Sequence, residues 1–224
     1  MGFKMITRSA LIVSSLVAAT AAHADLTVPS NALVADSIQA FSDRANKAFK
    51  VQGVTVTGLG NATTIVDAAL PTFSFPITSI TVGSGLKIVK GDAKGSGLKL
   101  SRTLDDGTEA YVVIANFTIN YVTKQVLADT TIPGVATAKQ ASVYNFNIAT
   151  PLALKYKFPL SITGHEVLDT LMLTEEAKDK MMEGLVLEDY IRTGVLDTTD
   201  FGTLTQDIQV KLRAKPVSTK LYTM

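Results

Sequence analysis

The chain has 224 residues, 46% of them hydrophobic, with no Cys, no Trp, and 21 basic side chains against 20 acidic ones. This near-neutral balance contains no basic block. It therefore excludes the electrostatic footprint of a nucleic-acid binder and gives no polybasic signal for an anionic membrane surface. Without Cys there are no thiol nucleophiles, thiolate metal sites or disulfides, and the fold has to rest on packing.

Residues 1–24 read as a secretory signal peptide. Lys4 and Arg8 charge a short leader, "SALIVSSLVAATA" is an apolar run too short to span a bilayer, and Ala22-His23-Ala24 is a small-x-small cleavage site. The mature chain is then 25–224, long enough for a single domain with its own core. Secretion follows, to the extracellular space or to a periplasm if the host is bacterial.

In chain order, Val34, Ile38, Phe41, Ala45 and Phe49 recur at steps of three and four, which predicts an amphipathic helix over 31–49. From Val51 the period changes to two. "VQGVTVTG" and "TFSFPITSITV" alternate, with Pro76 marking an edge or a bulge. "LKIVK" and "LKLSR" read as short strands separated by glycines, and Asp106-Gly107 as a hairpin turn.

The strongest strand signal is "AYVVIANFTINYVT". Strict alternation puts Tyr111, Val113, Ala115, Phe117, Ile119 and Tyr121 on one face. "ASVYNFNIAT" groups Tyr144, Phe146 and Ile148. "PLALKYKFPLSIT" groups Leu152, Leu154, Tyr156, Phe158, Leu160 and Ile162, with Lys155 and Lys157 opposite. One dry and one wet face per strand is the pattern of an antiparallel sheet. Val167, Leu168, Leu171 and Met172 fit a helical face, with a strand as the alternative. Thr174 caps a helix opening on Glu175 and Glu176, for which Gly194 is a stop, and "TLTQDIQVKLRAK" ends the series as a strand. The expected fold class is α+β: a long curved antiparallel sheet packed around an N-terminal amphipathic helix, with a second helical segment near the C-terminus.

Motifs for catalysis fail on count. The word GSGLK occurs at 83–87 and again at 95–99, but a phosphate loop counted from Gly91 meets Ser96 and Gly97 where Gly and Lys are needed. G-x-G-x-x-G fails at Ile88 and Leu100. "HEVLD" at 165–169 has Asp169 where a zinc helix carries its second His, and His165 is the only His beyond the signal. Neither Ser84 nor Ser96 has glycines at both flanking positions of a nucleophile elbow. Asp105, Asp106 and Glu109 read as a solvated turn. The expectation is a non-enzymatic protein with no cofactor and no metal. Asn61-Ala62-Thr63 and Asn116-Phe117-Thr118 match the glycan acceptor pattern, Asn61 at a turn and Asn116 within a strand.

The helical stretch 31–49 followed by "VQGVTVTGLGNATTIVDAAL" and "FPITSITVGSGLKI" resembles the start of TULIP-type lipid-binding domains, the takeout, juvenile-hormone-binding and mite-allergen class. Val56-Thr57-Gly58-Leu59 and Val66-Asp67-Ala68 carry the resemblance, over about residues 31–120. It implies a hydrophobic ligand between helix and sheet and fixes no binding residue.

Independently, tyrosines on apolar strand faces supply polar tips within a greasy wall. The expectation is thus a secreted binder or carrier of a hydrophobic, lipid-like small molecule. Its wall would be drawn from Tyr111, Phe117, Tyr121, Tyr144, Phe146, Tyr156 and Phe158. A structural or adhesive surface protein with a solid core and an outer-membrane β-barrel are the alternatives.

Overall fold

The computed structural model describes residues 25–32, 34–84, 87–157, 161–210, 215 and 217–224. The signal reading at 1–24 and the last residues expected in the terminal strand therefore lie outside the described residues.

The strands are β1 (Leu26–Pro29), β2 (Val34–Ala40), β3 (Thr55–Gly60), β4 (Thr63–Thr64), β5 (Thr72–Pro76), β6 (Ser79–Val82), β7 (Ile88–Thr103), β8 (Glu109–Asn120), β9 (Gln125–Thr131), β10 (Ala138–Lys157), β11 (Ser161–Leu173) and β12 (Thr203–Val210). The helices are α1 (Asp43–Val51), α2 (Glu175–Gly184) and the short α3 (Asp189–Ile191), which runs into a π turn at Arg192–Leu196. All strands join one 12-stranded antiparallel sheet in the order β1-β6-β7-β8-β9-β10-β11-β12-β2-β5-β4, with β3 on β7 beyond the reach of β6. The sheet curls into a half-barrel, and α1 and α2 contribute Ala45, Phe49, Ala177 and Met181 to its core.

The expected helix over 31–49 is corrected to a strand followed by a shorter helix. Residues 34–40 pair with β12 on one side and β5 on the other, so their backbone is satisfied by neighbours rather than by a helical ladder. Their inward residues are Ala35, Ser37 and Gln39, small or polar, which a search for apolar spacing passes over. The helix begins only after Ser42, whose Oγ accepts from Ala45 N at 3.0 Å, an N-cap that stabilises a helix by about 1 kcal/mol. Ala45 and Phe49, four apart, then face the core. Phe49 meets Phe41 edge to face at 5.2 Å between ring centroids. Residues 167–173 resolve as strand.

The glycines of 91–97 do not break the sheet, because β7 runs through them unbroken. Gly95 instead takes φ +79° and forms a bulge. Of the two GSGLK words, the ends of the first are joined between β6 and β7, where Gly83 N donates to Lys87 O, and the second lies inside β7. The Asp106-Gly107 hairpin forms as expected, with Gly107 at φ +85°. The Thr174 cap also forms, but α2 stops at Gly184, not Gly194. Val186 takes φ +51°, and a Cβ at Gly184 would sit 2.5 Å from Val112 and 2.6 Å from Ile132.

Bulges recur across the sheet. On β8 the inward residues are Val112 and Ile114 before Asn116, which has φ +58°, and Phe117 and Ile119 after it. On β11 they are Glu166 and Leu168 before Thr170, at φ +52°, and Leu171 and Leu173 after it. On β7 the switch falls at Gly95, from Ala93 to Leu98 and Leu100. One inserted residue moves the rest of a strand to the opposite face and bends it. The line of bulges is therefore the crease about which the sheet curls.

Candidate ligand slot

The crease divides the apolar interior. The larger cluster is built on Phe41, Phe49, Phe73, Phe75, Phe117, Tyr144, Leu168 and Phe201. A smaller one holds Ala35, Ile77, Ile80 and Ile208, with Val28, Val82, Ile88 and Leu152 half-buried against it. Globular domains of this size usually close around one contiguous core. Here a slot lies between the two clusters. Phe75, Phe117, Ile119, Val126, Tyr144 and Leu204 form one wall, and Ile77, Ile80, Ile88 and Ile208 form the other. Its cavity volume is about 30 Å³, room for one or two waters and no more.

The seven aromatic residues expected to line a pocket separate into four groups. Phe117, Tyr121 and Tyr144 line the slot. Phe146 is buried beside it, its ring 6.0 Å from that of Tyr121 in a T-shaped contact. Tyr111 is corrected to the opposite face: the bulge at Asn116 interrupts the alternation, and the ring carries the Lys99 ammonium 4.8 Å from its centroid. The side chain of Tyr156 and all of Phe158 lie outside the described residues. Sequence alternation also passed over Ser37, Gln39 and Gln206, polar side chains on otherwise apolar faces.

These polar groups form a narrow band. Gln206 Nε2 donates to Ser37 Oγ at 2.9 Å, and Gln39 Nε2 donates to the Tyr144 hydroxyl at 3.4 Å. Burial pushes the Tyr144 hydroxyl up to about 12, partly offset by Gln39. Tyr121 donates to Glu166 Oε2 at 2.5 Å. Burial and the Glu166 carboxyl hold that phenol far above its ordinary range. Burial also raises Glu166, against the opposing bonds from Tyr121 and the Leu152 backbone.

A second polar assembly lies on the outward side of the crease. Asn116 Oδ1 accepts from Gly95 N (3.0 Å) and Tyr222 N (2.8 Å), while its Nδ2 donates to Asp129 Oδ2 (2.8 Å) and Tyr222 O (3.0 Å). Asn61 Nδ2 donates to Ser218 O and to Lys94 O. Residues 217–224 are thus tied across the crease. Both asparagines of the glycan acceptor patterns have their amides committed, and Asn116 is fully buried. His165 Nδ1 lies 2.8 Å from Asp207 Oδ1, on strands rather than a helix, in an open outer basin of about 580 Å³. Among the described residues no three His, Cys, Asp or Glu side chains converge to hold a metal ion, and no helix is long and apolar enough to cross a membrane.

No family model matches the chain, and no curated protein matches it. Among solved structures, the C-terminal domain of HtaA from Corynebacterium glutamicum is similar at a TM-score of 0.49 and 14% identity, over 79% of this chain and 97% of that one. So distant a likeness assigns no residue here a role.

Proposed function

We propose that this protein is a secreted, non-enzymatic binder of a hydrophobic small molecule, which seats between the two apolar clusters and joins them into one core. The observation that carries this reading is the slot itself, apolar on both walls and unfilled where the clusters fail to meet. At about 30 Å³ it admits a chain only when one wall moves. The wall bearing Ile80 is suited to that. It stands on β6, which pairs with β7 over Ser79–Val82, and on β1, a four-residue edge strand that among the described residues pairs with β6 alone. Few ladder bonds at a sheet edge mean a low cost of local opening.

Gly91 supplies the test. It lines the slot, and a Cβ built there meets nothing within 4 Å, so Gly91→Val carries its side chain into open space. Purified protein is titrated with a hydrophobic fluorescent probe and weighed by native mass spectrometry. The reading expects uptake by the wild type and at least about tenfold weaker uptake by Gly91→Val, since the valine occupies the space the probe needs.

The small volume favours a second reading, a structural or adhesive surface protein with a solid core. A clean apo mass and no probe uptake by the wild type would establish that one and end the first.

A further inference from the structure

We infer that the bound molecule carries a neutral hydrogen-bond donor, an alcohol hydroxyl or an amide N–H, and delivers it to Gln206 Oε1 in the middle of the slot. This rests on reading the slot as a binding site.

Among the described residues, four buried side-chain polar atoms have no hydrogen-bond partner: Ser96 Oγ, Arg102 Nε, Thr199 Oγ1 and Gln206 Oε1. Of these four residues only Gln206 lines the slot. Its residue is 1% exposed, and its Nε2 is committed to Ser37 Oγ. On β12 it stands between Leu204, a member of the larger cluster, and Ile208, a member of the smaller one. The acceptor therefore sits at the seam that a ligand would bridge. A buried amide oxygen without a donor is costly, and a hydrophobe with one donor group removes that cost as it fills the space.

The same surroundings select against an acid. Among the described residues lining the slot there is no Lys or Arg. Nothing there would balance a buried carboxylate, and an ionised acid offers no donor to Gln206. A fatty alcohol is accordingly preferred over the fatty acid of the same length.

The test is displacement of a bound fluorescent hydrophobe from the full mature chain by 1-decanol, decyl methyl ether and decanoate at neutral pH. The inference expects 1-decanol to displace the probe at roughly tenfold lower concentration than the ether, as one hydrogen bond in a dry site implies, with decanoate weaker still. Gln206→Leu should bring alcohol and ether to equal potency while the ether's own potency holds. If Gln206→Leu does not fold, the alcohol-to-ether ratio of the wild type alone still decides. Equal potency in the wild type would mean that a trapped water satisfies the amide, and a preference for the ether would mean that the amide presents Nε2 instead. Either result overturns the donor assignment while leaving the slot a binding site. Displacement by none of the three, with no probe uptake at all, would instead remove the slot reading.

Discussion

Two polar assemblies lie on opposite sides of the same crease, and they differ in completeness. On the outward side Asp92, Lys94, Asn116, Thr118, Asp129 and Gln140 each have two or more partners. Lys94 Nζ donates to Asn116 O and Thr118 Oγ1, Gln140 N donates to Asp129 Oδ1, and Thr118 Oγ1 donates to Asp92 Oδ1. On the inward side Gln206 has one partner and an empty acceptor. A saturated buried network rigidifies a fold. An unsaturated one beside an apolar gap holds capacity for something else. The outward assembly is architecture, and the inward one is the place to look for a ligand.

The largest expected effect comes from breaking the saturated side. Asn116→Leu removes four hydrogen bonds, leaves Asp129 short of a donor, and places a side chain with no polar group at φ +58°. It should cost about 3–5 kcal/mol of unfolding free energy by denaturant titration. Gly95→Ala follows. Its Cβ would lie 2.7 Å from Lys220 O and 2.6 Å from Asn61 Nδ2, at φ +79°. A loss of about 2 kcal/mol and release of the C-terminal segment to limited proteolysis are expected.

The carboxylates of the two sides should respond oppositely to pH. Burial works against ionised Asp92 and Asp129. Even so, the bonds from Thr118, Lys90 and Ser79 with the charge of Lys94, and those from Asn116, Gln140 and Lys139, hold both below the usual carboxylate range. Their contribution is present above about pH 4 and is lost as the pH falls through their lowered values. Glu166 is raised, so its ionisation weakens the fold as the pH rises past its elevated value. Glu166→Gln keeps an acceptor for Tyr121 and should gain about 1 kcal/mol near pH 8, with no gain below the carboxylate range, as thermal melts across pH would read. The smallest stability effects fall on the unsaturated side. Gln206→Leu and Gly91→Val should each stay within about 1 kcal/mol of the wild type. A loss at Gln206 as large as that at Asn116 would erase the contrast.

The long antiparallel strands, the Asp106-Gly107 hairpin and the Thr174-capped helix were legible in the sequence because each depends on local chemistry: alternation, a positive-φ glycine, a capping hydroxyl. The crease was not. Alternation along "AYVVIANFTINYVT" assumes unbroken pairing, and the bulge at Asn116 depends on Gly95, Asp129 and Tyr222, none of them near in sequence. Unbroken alternation puts Tyr111 on the wrong face for that reason, while Phe117 and Tyr121, beyond the bulge, reach the slot. Residues 34–40 show the same limit. Their apolar spacing imitates a helix, and only pairing with β5 and β12 decides for a strand. Ser37, Gln39 and Gln206 carry no apolar signal, so hydropathy could not place them in the wall.

The central claim is that one ligand touches both clusters, and intermolecular NOEs measure it directly. With 1-decanol bound to protein labelled at Ile methyls and Phe rings, cross-peaks are expected from the same chain to Ile80 and Ile208 and to Phe75 and Phe117. Cross-peaks confined to residues of the outer basin around His165, or to none of these, would contradict it.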